Sequence, residues 1–393
     1  MANVLEVITS GESHGPGLTA LVQGLPAGMP VDIDGIDRQL MRRQGGYGRG
    51  ARQQIESDRV QVMSGIRLGR TLGSPITLQV VNKDFANWGD RMSVSDVPVA
   101  PAPIVEARPG HADFAGMLKY GTGDLRDILE RSSARNTAAL VAAGALCRQF
   151  LGQFGIEVLS HVVVLGGVHA AAGQGSDFGS LSSSAEASPV RCADPVASSA
   201  MVTAIDQAGE RGDTLGGVFE VVAVGCPPGL GSHIQWDTRL DSRLAAAIMG
   251  IQAIKGVEIG MGFGVAEAPG SQVHDELFHG AGSGYTRRTN HAGGLEGGMT
   301  NGEPVVVRGA MKPISTMKSP LRSVNMASLE PSVAHFERSD VCAVPAAGVI
   351  AEGMVCIVLA DACLAKFGGD GLQECLRNFE GYMADIAGRG YVR

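Results

Sequence analysis

Two apolar stretches, VIAEGMVCIVL (349–359) and AALVAAGAL (138–146), decide the fold. The second holds no charged residue, and the first holds one, Glu352. Each lies inside a longer pattern typical of a helix, over 346–367 and 133–154. A helix without a polar face has to be covered on every side. We therefore expect both helices in the middle of the molecule, with sheets outside them.

Short runs typical of β-strands are distributed around these helices, at 4–9, 18–23, 76–81, 158–165, 218–224 and 304–308. Several are neighbours joined by turns, which favours antiparallel pairing. Further helices are predicted at 36–43, 238–255 and 371–386. The sequence thus predicts an α+β fold with a helical layer sandwiched between antiparallel β-sheets. Residues 169–200 are rich in Ala, Ser and Gly and are predicted to form a surface excursion.

The composition excludes several classes of protein. A hydrophobic content of 44% with 18% charged residues indicates a well-buried globule. The net charge of −8 argues against nucleic acid or an anionic membrane as a partner. The seven Cys form no C-x-x-C pair, so neither a disulfide framework nor a thiol metal site is predicted. No signal peptide is recognised, and the expected compartment is the cytoplasm.

Two arginine-rich segments are candidate anion sites. The chain from Arg38 to Ile55 has five Arg and no carboxylate, which indicates an anion-binding loop or, alternatively, a solvated basic surface. The segment Glu130-Arg131-Ser132-Ser133-Ala134-Arg135 precedes a long helix, where free backbone N–H groups and two Arg suit a phosphate. Its alternative interpretation is a plain helix cap.

Two histidines on glycine-bracketed turns, His14 and His111, are candidates for proton transfer. The alternative is that each is simply exposed. The stretch 280–322 is dense in Gly and basic residues and could wrap a phosphate-bearing cofactor, with Lys312-Pro313-Ile314-Ser315-Thr316 offering a charge and two hydroxyls. No dinucleotide fingerprint or P-loop occurs. His274 and His279 have the wrong spacing for two ligands on one helix face, so no metal is predicted.

The motifs, taken in order, resemble the chorismate synthase family from about residue 4 to residue 366. They are GESHG (11–15), RQGGYGR (43–49), RPGHAD (108–113), RSSAR (131–135), GDT (212–214), GGMTNG (297–302), KPI (312–314) and RSD (338–340). The resemblance implies one domain over 1–393, with a variable excursion near 169–200, assembled as a homotetramer.

The resemblance also implies a reaction of the shikimate pathway, which leads to the aromatic amino acids. A carbon–oxygen lyase removes phosphate and a ring proton from 5-enolpyruvylshikimate 3-phosphate in an anti-1,4-elimination that gives chorismate. Reduced FMN is required without net redox change. NADPH is a possible reductant of the flavin, although the missing fingerprint favours an outside source.

Roles for single residues follow from the same resemblance. His14 would protonate the departing phosphate, His111 would stabilise negative charge on the flavin, and Asp340 would relay a proton. Residues expected to bind the substrate are Arg43, Arg49, Arg108, Ser133, Arg135 and Arg338. Residues expected to bind FMN are Arg131, Ser132, Ser133, Gln252, Ala253, Gly297, Lys312, Pro313, Ile314, Ser315, Thr316 and Arg338. The arginines are expected to converge without acidic partners.

Two positions depart from the family pattern: Asn136 stands where Glu is usual, and Val341 where Pro often follows the Asp. Two rival functions stay open at this point. One is another FMN-dependent enzyme that turns over by redox chemistry. The other is an Arg-rich RNA-binding module, which the aromatic content of 5% disfavours because such modules stack bases on aromatic rings.

Overall fold

The structure is a computed structural model that describes residues 4–50, 57–99, 101–171, 177–337 and 340–392. Arg338, a predicted contact of both substrate and FMN, lies outside the described residues, as does its neighbour Ser339.

Helices and strands alternate along the described chain. The strands are β1 (Glu6–Ser10), β2 (Gly17–Gln23), β3 (Val60–Ser64), β4 (Ile66–Arg67), β5 (Arg70–Thr71), β6 (Ile76–Val81), β7 (Glu157–Leu165), β8 (Val168–His169), β9 (Gly217–Val224), β10 (Ile254–Ile259), β11 (Leu277–Gly280), β12 (Gly284–Arg287), β13 (Leu295–Glu296), β14 (Met299–Thr300), β15 (Val305–Met311), β16 (Arg322–Val324) and β17 (Pro331–Val333). The helices are α1 (Ile33–Gln44), α2 (Asp113–Tyr120), α3 (Arg126–Ser132), α4 (Thr137–Gly152), α5 (Phe178–Ala187), α6 (Pro195–Glu210), α7 (Leu240–Met249), α8 (Gly270–Val273), α9 (Val344–Phe367) and α10 (Leu372–Ala387).

Two antiparallel sheets form the outer layers. One has the strand order β1-β2-β6-β3, and the other has the order β10-β15-β9-β7-β8. In β2 and β6 every second residue is buried, as expected of a sheet that covers a core with one face.

The helices α4 and α9 lie between the sheets. Helix α4 packs on β1, β2 and β6, whereas α9 packs on β7 and β9, and the two helices pack on one another. Their backbones approach closely at Gly144 and Gly353, because a Cβ atom on Gly144 would stand 2.3 Å from the Cα of Gly353. This layer confirms the predicted α+β sandwich.

Helix α9 is the one described helix long and apolar enough to cross a membrane, and 89% of its most apolar window is buried inside the protein. The interpretation of this stretch as a core helix is confirmed. One continuous apolar core joins both sheets, α4, α9 and α10.

Two sequence-based expectations differ from the structure. The helix predicted over 238–255 ends at Met249, and residues 254–259 form β10 instead. The reason is that Gly250 ends the helix and β15 supplies a strand partner distant in sequence. The excursion near 169–200 contributes α5 and the start of α6, whose residues pack with β7 around Met201 and Val162, so its described part is more than a surface loop.

Candidate functional site

His14 lies in the turn between β1 and β2 and is buried, with 6% of its surface exposed. Its ring Nδ1 donates a hydrogen bond to Glu130 Oε1 at 2.8 Å, and its backbone N–H donates to Glu130 Oε2 at 2.7 Å. Glu130 is supplied by α3, and Arg126 one turn earlier donates to it at 3.2 Å. Burial opposes ionisation of Glu130, but the hydrogen bond and charge of His14 and the bond from Arg126 hold its pKa below the usual value. Glu130 is therefore a carboxylate that fixes His14.

A pair of buried arginines shares one carboxylate, Asp58. Arg135 Nη1 donates to both oxygens of Asp58 at 2.7 and 2.6 Å, and Arg43 Nη2 donates to Oδ2 at 3.0 Å. The Asp58 side chain has no exposed surface. Arg43 comes from the end of α1 and Arg135 from the short 3₁₀ turn before α4. Two helix ends are thus brought together at one acid.

Asn82 joins this arginine pair to the His14 turn. Its side-chain oxygen accepts from Arg135 Nε at 2.9 Å, while its amide nitrogen donates to the carbonyls of Glu12, Ser13 and Gly15. Ser133 Oγ donates to Ser13 Oγ at 3.0 Å. The structure therefore brings His14, Ser133, Arg135 and Arg43 into one connected group.

Arg49 lies at the edge of the same group. Its guanidinium pairs with Asp340 at 3.2 Å, and the backbone N–H of Gly50 donates to Asp340 Oδ1 at 2.6 Å. Burial, together with the positive charges of Arg135 and Arg49, lowers the pKa of Arg43 to about 10. The negative charge of Asp58 acts in the opposite direction. This electrostatic coupling indicates that the three guanidiniums are neighbours. A cavity of about 440 Å³ opens beside Arg49 and is lined by Gly46, Tyr47, Gly48, Ile205, Asp206, Gly209 and Val341.

Arg108 and His111 form a second group around Asp113. Arg108 Nε and Nη2 donate to the two oxygens of Asp113 at 2.8 and 3.0 Å, and His111 Nδ1 donates to Asp113 Oδ1. Despite burial, the bonds and charges of His111 and Arg108 strongly lower the pKa of Asp113. Asp113 therefore orients both side chains as an ionised acceptor.

The 312–316 segment meets this second group. Lys312 Nζ donates to the Gly110 carbonyl at 2.6 Å, and Arg108 Nη1 donates to Thr316 Oγ1 at 3.3 Å. A cavity of about 490 Å³ opens here, lined by Ala107, Arg108, Pro109, Gly110, His111, Phe114, Ala115, Ser323, Val324, Met326 and Leu329. The predicted cofactor segment thus contacts Arg108 and Gly110, which line this cavity together with His111.

Gln252 and Ala253 lie in the turn between α7 and β10, next to this segment. The Ala253 carbonyl accepts from the Lys312 backbone N–H at 3.0 Å, and Ala253 has the left-handed φ of 68°. Gln252 Oε1 is buried and has no hydrogen-bond partner among the described residues. Burial and the charge of Lys255 lower the pKa of Lys312.

Arg126 connects the two groups. It donates to Glu130 beside His14 and pairs with Glu337 at 3.1 Å. Burial opposes ionisation of Glu337, but its bond with His335 and the charges of Arg126 and Arg108 lower its pKa to about 2. The charge of Glu337 thus interacts with that of Arg126 from the His14 group and with that of Arg108 from the His111 group.

Three residues predicted to bind FMN, Arg131, Ser132 and Gly297, make none of the contacts described above for the Lys312 segment. Arg131 donates to the carbonyls of Thr9 and Gly11, so it fixes the end of β1. The hydroxyl of Ser132 donates back to the helix carbonyl of Ile128. Gly297 occupies the turn between β13 and β14 near His233, and none of the contacts described above reaches it.

The expectation that the arginines converge without acidic partners is wrong. Arg43 and Arg135 share Asp58, Arg49 pairs with Asp340, and Arg108 pairs with Asp113. The other described arginines of the 38–55 segment are paired as well, Arg38 with Asp32 and Arg42 with Glu352 and Glu186. A stretch that lacks acids thus receives them from outside it. Asp32 and Asp58 flank the stretch, whereas Glu186, Asp340 and Glu352 are distant in sequence, and the buried guanidiniums require such counter-charges.

Several residues that build the site have no role assigned from the sequence: Asp58, Asn82, Asp113, Arg126, Glu130 and Glu337. Asp113 is the last residue of the RPGHAD motif, and Glu130 directly precedes the RSSAR motif. These positions next to predicted site residues are the sequence signal that could have identified them. Asp58 and Asn82 had none, since their partners are distant in sequence. Among the described residues no group of three or more His, Cys, Asp or Glu is arranged to hold a metal ion.

Buried arginines and two carboxylate-held histidines on an α+β sandwich are features of an enzyme that acts on a small molecule. The chain belongs to the chorismate synthase family, whose model, described as "Chorismate synthase", matches residues 5–364. It is accordingly a carbon–oxygen lyase.

Named relatives agree with this family over nearly the whole chain. A chorismate synthase of Symbiobacterium thermophilum is 56% identical over 391 residues, covering 98% of this chain and 100% of the relative. One of Desulforudis audaxviator is 54% identical over 384 residues, covering 98% of each. A solved structure titled "Crystal Structure of Chorismate Synthase" has a TM-score of 0.78 at 43% identity, and the match covers 97% of this chain and 98% of that one.

Proposed function

We propose that this chain converts 5-enolpyruvylshikimate 3-phosphate to chorismate by anti-1,4-elimination with reduced FMN. The observation that carries the proposal is the link through Asn82 between the carboxylate-held His14 and the buried pair Arg43 and Arg135. It combines a proton donor with guanidiniums in one buried group. A substrate with a phosphate and two carboxylates needs both.

The arginines would bind the anionic groups of the substrate. Arg43 Nε and Arg49 Nε are buried donors without an acceptor in the described part of the chain. Asp58 lies between the two guanidiniums, and an incoming phosphate or carboxylate would supply further anionic acceptors to these buried positive charges. Arg108 would contact the substrate from the opposite group, with Ser133 next to Ser13 at the His14 turn. Arg338 stays in the proposal on the resemblance alone.

His14 would act as the general acid. The C–O bond to phosphate breaks with its electron pair leaving on the phosphate oxygen, and His14 would protonate that group. Because Nδ1 is bonded to Glu130, the proton would come from Nε2. Glu130 stays ionised and would stabilise the imidazolium before transfer. The ring C–H proton leaves as the new double bond forms, and the carboxylate of Asp340 is the proposed group that relays it.

The residues around Lys312 fit a bound FMN. Gln252 Oε1 offers a buried acceptor, the lysine a positive charge, and Ser315 and Thr316 two hydroxyls. Arg131, Ser132, Ser133, Ala253, Pro313, Ile314, Gly297 and Arg338 complete the proposed set by resemblance. When bound, reduced FMN supplies electron density to the breaking C–O bond. His111, oriented by Asp113, would stabilise negative charge beside the cavity it lines.

The proposal extends to the assembly and its setting. We place the reaction in the cytoplasm and the chain in a homotetramer. Phe114, Leu118 and Tyr120 on α2 are exposed apolar side chains of the kind that subunit contacts cover. NADPH is a possible source of the electrons that keep FMN reduced.

The test is anaerobic mixing of the protein with photoreduced FMN and 5-enolpyruvylshikimate 3-phosphate, followed for chorismate, inorganic phosphate and flavin absorbance. We expect chorismate and phosphate in equal amounts without net oxidation of the flavin. Failure to form chorismate would overturn the proposal. Flavin oxidation in step with substrate loss would favour the rival FMN-dependent redox enzyme.

A further inference from the structure

Trp88 covers the ring of His14. The two ring centroids are 3.9 Å apart and the ring planes are inclined by 34°. Trp88 ends the short 3₁₀ helix Lys83–Asn87, which follows β6 and Asn82. The same stretch of chain therefore holds the His14 turn through Asn82 and the His14 ring through Trp88.

Trp88 is itself held by several contacts. Its indole Nε1 donates to Asp84 Oδ2 at 2.9 Å. The guanidinium carbons of Arg126 and Arg91 lie 5.0 and 5.3 Å from its ring centroid. A cation over an indole face is attracted to it. Because Arg126 also bonds Glu130, it supports both residues that contact the His14 ring.

A hydrogen bond and an adjacent aromatic ring constrain an imidazole in different ways. The bond from Nδ1 to Glu130 fixes one point of the ring but allows rotation about the bond axis. An aromatic face against the ring fixes its plane. Proton transfer requires the donor nitrogen within hydrogen-bond reach and in line with its acceptor, so both constraints bear on the rate.

We propose that Trp88 is a positioning residue for proton transfer by His14, fixing the plane of the imidazole and shielding one face from water. The inference rests on the proposed role of His14 as the acid. The charged groups around this pair are Glu130 and Arg126 from α3, Asp84 and Arg91 from the Trp88 segment, and Glu12 from the His14 turn.

The contact can be tested without substrate or flavin. The chain has two Trp, and the other, Trp236, is 78% exposed. In a Trp236→Phe background the emission therefore comes from Trp88 alone. A protonated imidazole in contact with an indole quenches its fluorescence. The further change His14→Ala removes the imidazole that contacts the indole and should raise the emission. Unchanged emission would overturn the contact between the two rings.

The effect on turnover is tested by comparing Trp88→Leu with Trp88→Phe. The Leu variant should lower kcat by roughly 10- to 100-fold, as a misplaced catalytic group does, with KM changed far less. Phe keeps an aromatic face and should restore most of the rate. Val94→Ala is the matched control, because Val94 lies on the same segment and is fully exposed. It should leave both parameters unchanged.

If Trp88→Leu unfolds, Asp84→Ala loosens the indole without removing it and should lower kcat in the same direction. Normal kcat in the folded Leu variant would overturn the positioning role. Failure of the underlying proposal is distinguishable: normal kcat in His14→Ala would remove the acid role, while the fluorescence result would still report whether the rings touch.

Discussion

Glu130 holds His14 at two points, the backbone N–H through Oε2 at 2.7 Å and the ring Nδ1 through Oε1 at 2.8 Å. One carboxylate thus fixes both the turn that carries the imidazole and the imidazole itself. A histidine on a glycine-bracketed turn is usually exposed. Here the two hydrogen bonds to Glu130 hold it as a buried side chain with a defined orientation.

Glu130→Gln tests this double contact. Gln replaces one of the two acceptor oxygens with an NH2 donor, so either the backbone N–H or the ring N–H of His14 would face a donor. We expect kcat to fall by about 10- to 100-fold with a smaller change in KM. Steady-state kinetics under reduced-flavin conditions measure it, and a thermal melt checks folding. Unchanged kcat in a folded variant would exclude the role given to Glu130.

The two histidines should each matter for the rate. His14→Ala and His111→Ala are expected to lower kcat by about 10²- to 10⁴-fold, the range for general acid–base groups. Circular dichroism should report intact folding. His233→Ala serves as the control, because His233 was given no part in the chemistry. Near-normal rates in either site variant would contradict its role.

Asp58→Asn removes the acid shared by Arg43 and Arg135. Leaving two buried guanidiniums without their counter-charge should lower the free energy of unfolding by about 3 to 5 kcal/mol. Asp32→Asn is the matched control, since its pair with Arg38 is exposed and should contribute little. Urea unfolding measures both. Equal, small losses in the two variants would show that Asp58 is not needed as a counter-ion.

At the close contact between α4 and α9, alanine substitutions at Gly144 and Gly353 should have different effects on stability. A Cβ on Gly144 would stand 2.3 Å from backbone of α9, whereas a Cβ on Gly353 would stand 3.6 Å from its nearest neighbours, an ordinary contact. Gly144→Ala should therefore lower the free energy of unfolding by about 1 to 3 kcal/mol, since the helices must move apart. Gly353→Ala should be neutral or slightly stabilising. Equal effects in urea unfolding would contradict this packing.

Glu352 makes a prediction about pH. It is buried in α9 and accepts from Arg42, Arg148, Arg191 and Ser160. Despite burial, the charges of Arg148, Arg42 and Arg191 lower its pKa from 4.5 to about 2. Its contribution to stability is therefore complete above pH 4.5 and is lost as the pH falls toward 2. The stability difference between wild type and Glu352→Gln should narrow over this window in urea titrations. A difference that stays constant with pH would contradict it.

The layer order was predictable because two helices without a polar face leave few ways to build a domain. Strands with strict alternation, such as β6, were placed to the residue. The helix predicted through Lys255 failed because β10 is made by its pairing with β15, and long-range pairing leaves no local signal.

The site was predictable where residues cluster in sequence, as in the turns that carry His14 and His111. The counter-ions were not, because Asp58 and Glu337 are placed beside their arginines by the fold alone. Trp88 was missed for the same reason: its contact with His14 joins segments that are distant in the chain.

We propose that the anionic substrate binds between the arginines and the two histidines. A crystal structure of the protein with 5-enolpyruvylshikimate 3-phosphate and FMN tests it most directly. We expect the phosphate within about 3 Å of His14 Nε2, with Arg43, Arg49 or Arg135 bonded to the substrate and the flavin beside His111 and Lys312. A substrate bound away from His14, with Arg43 and Arg135 contacting only Asp58, would contradict it.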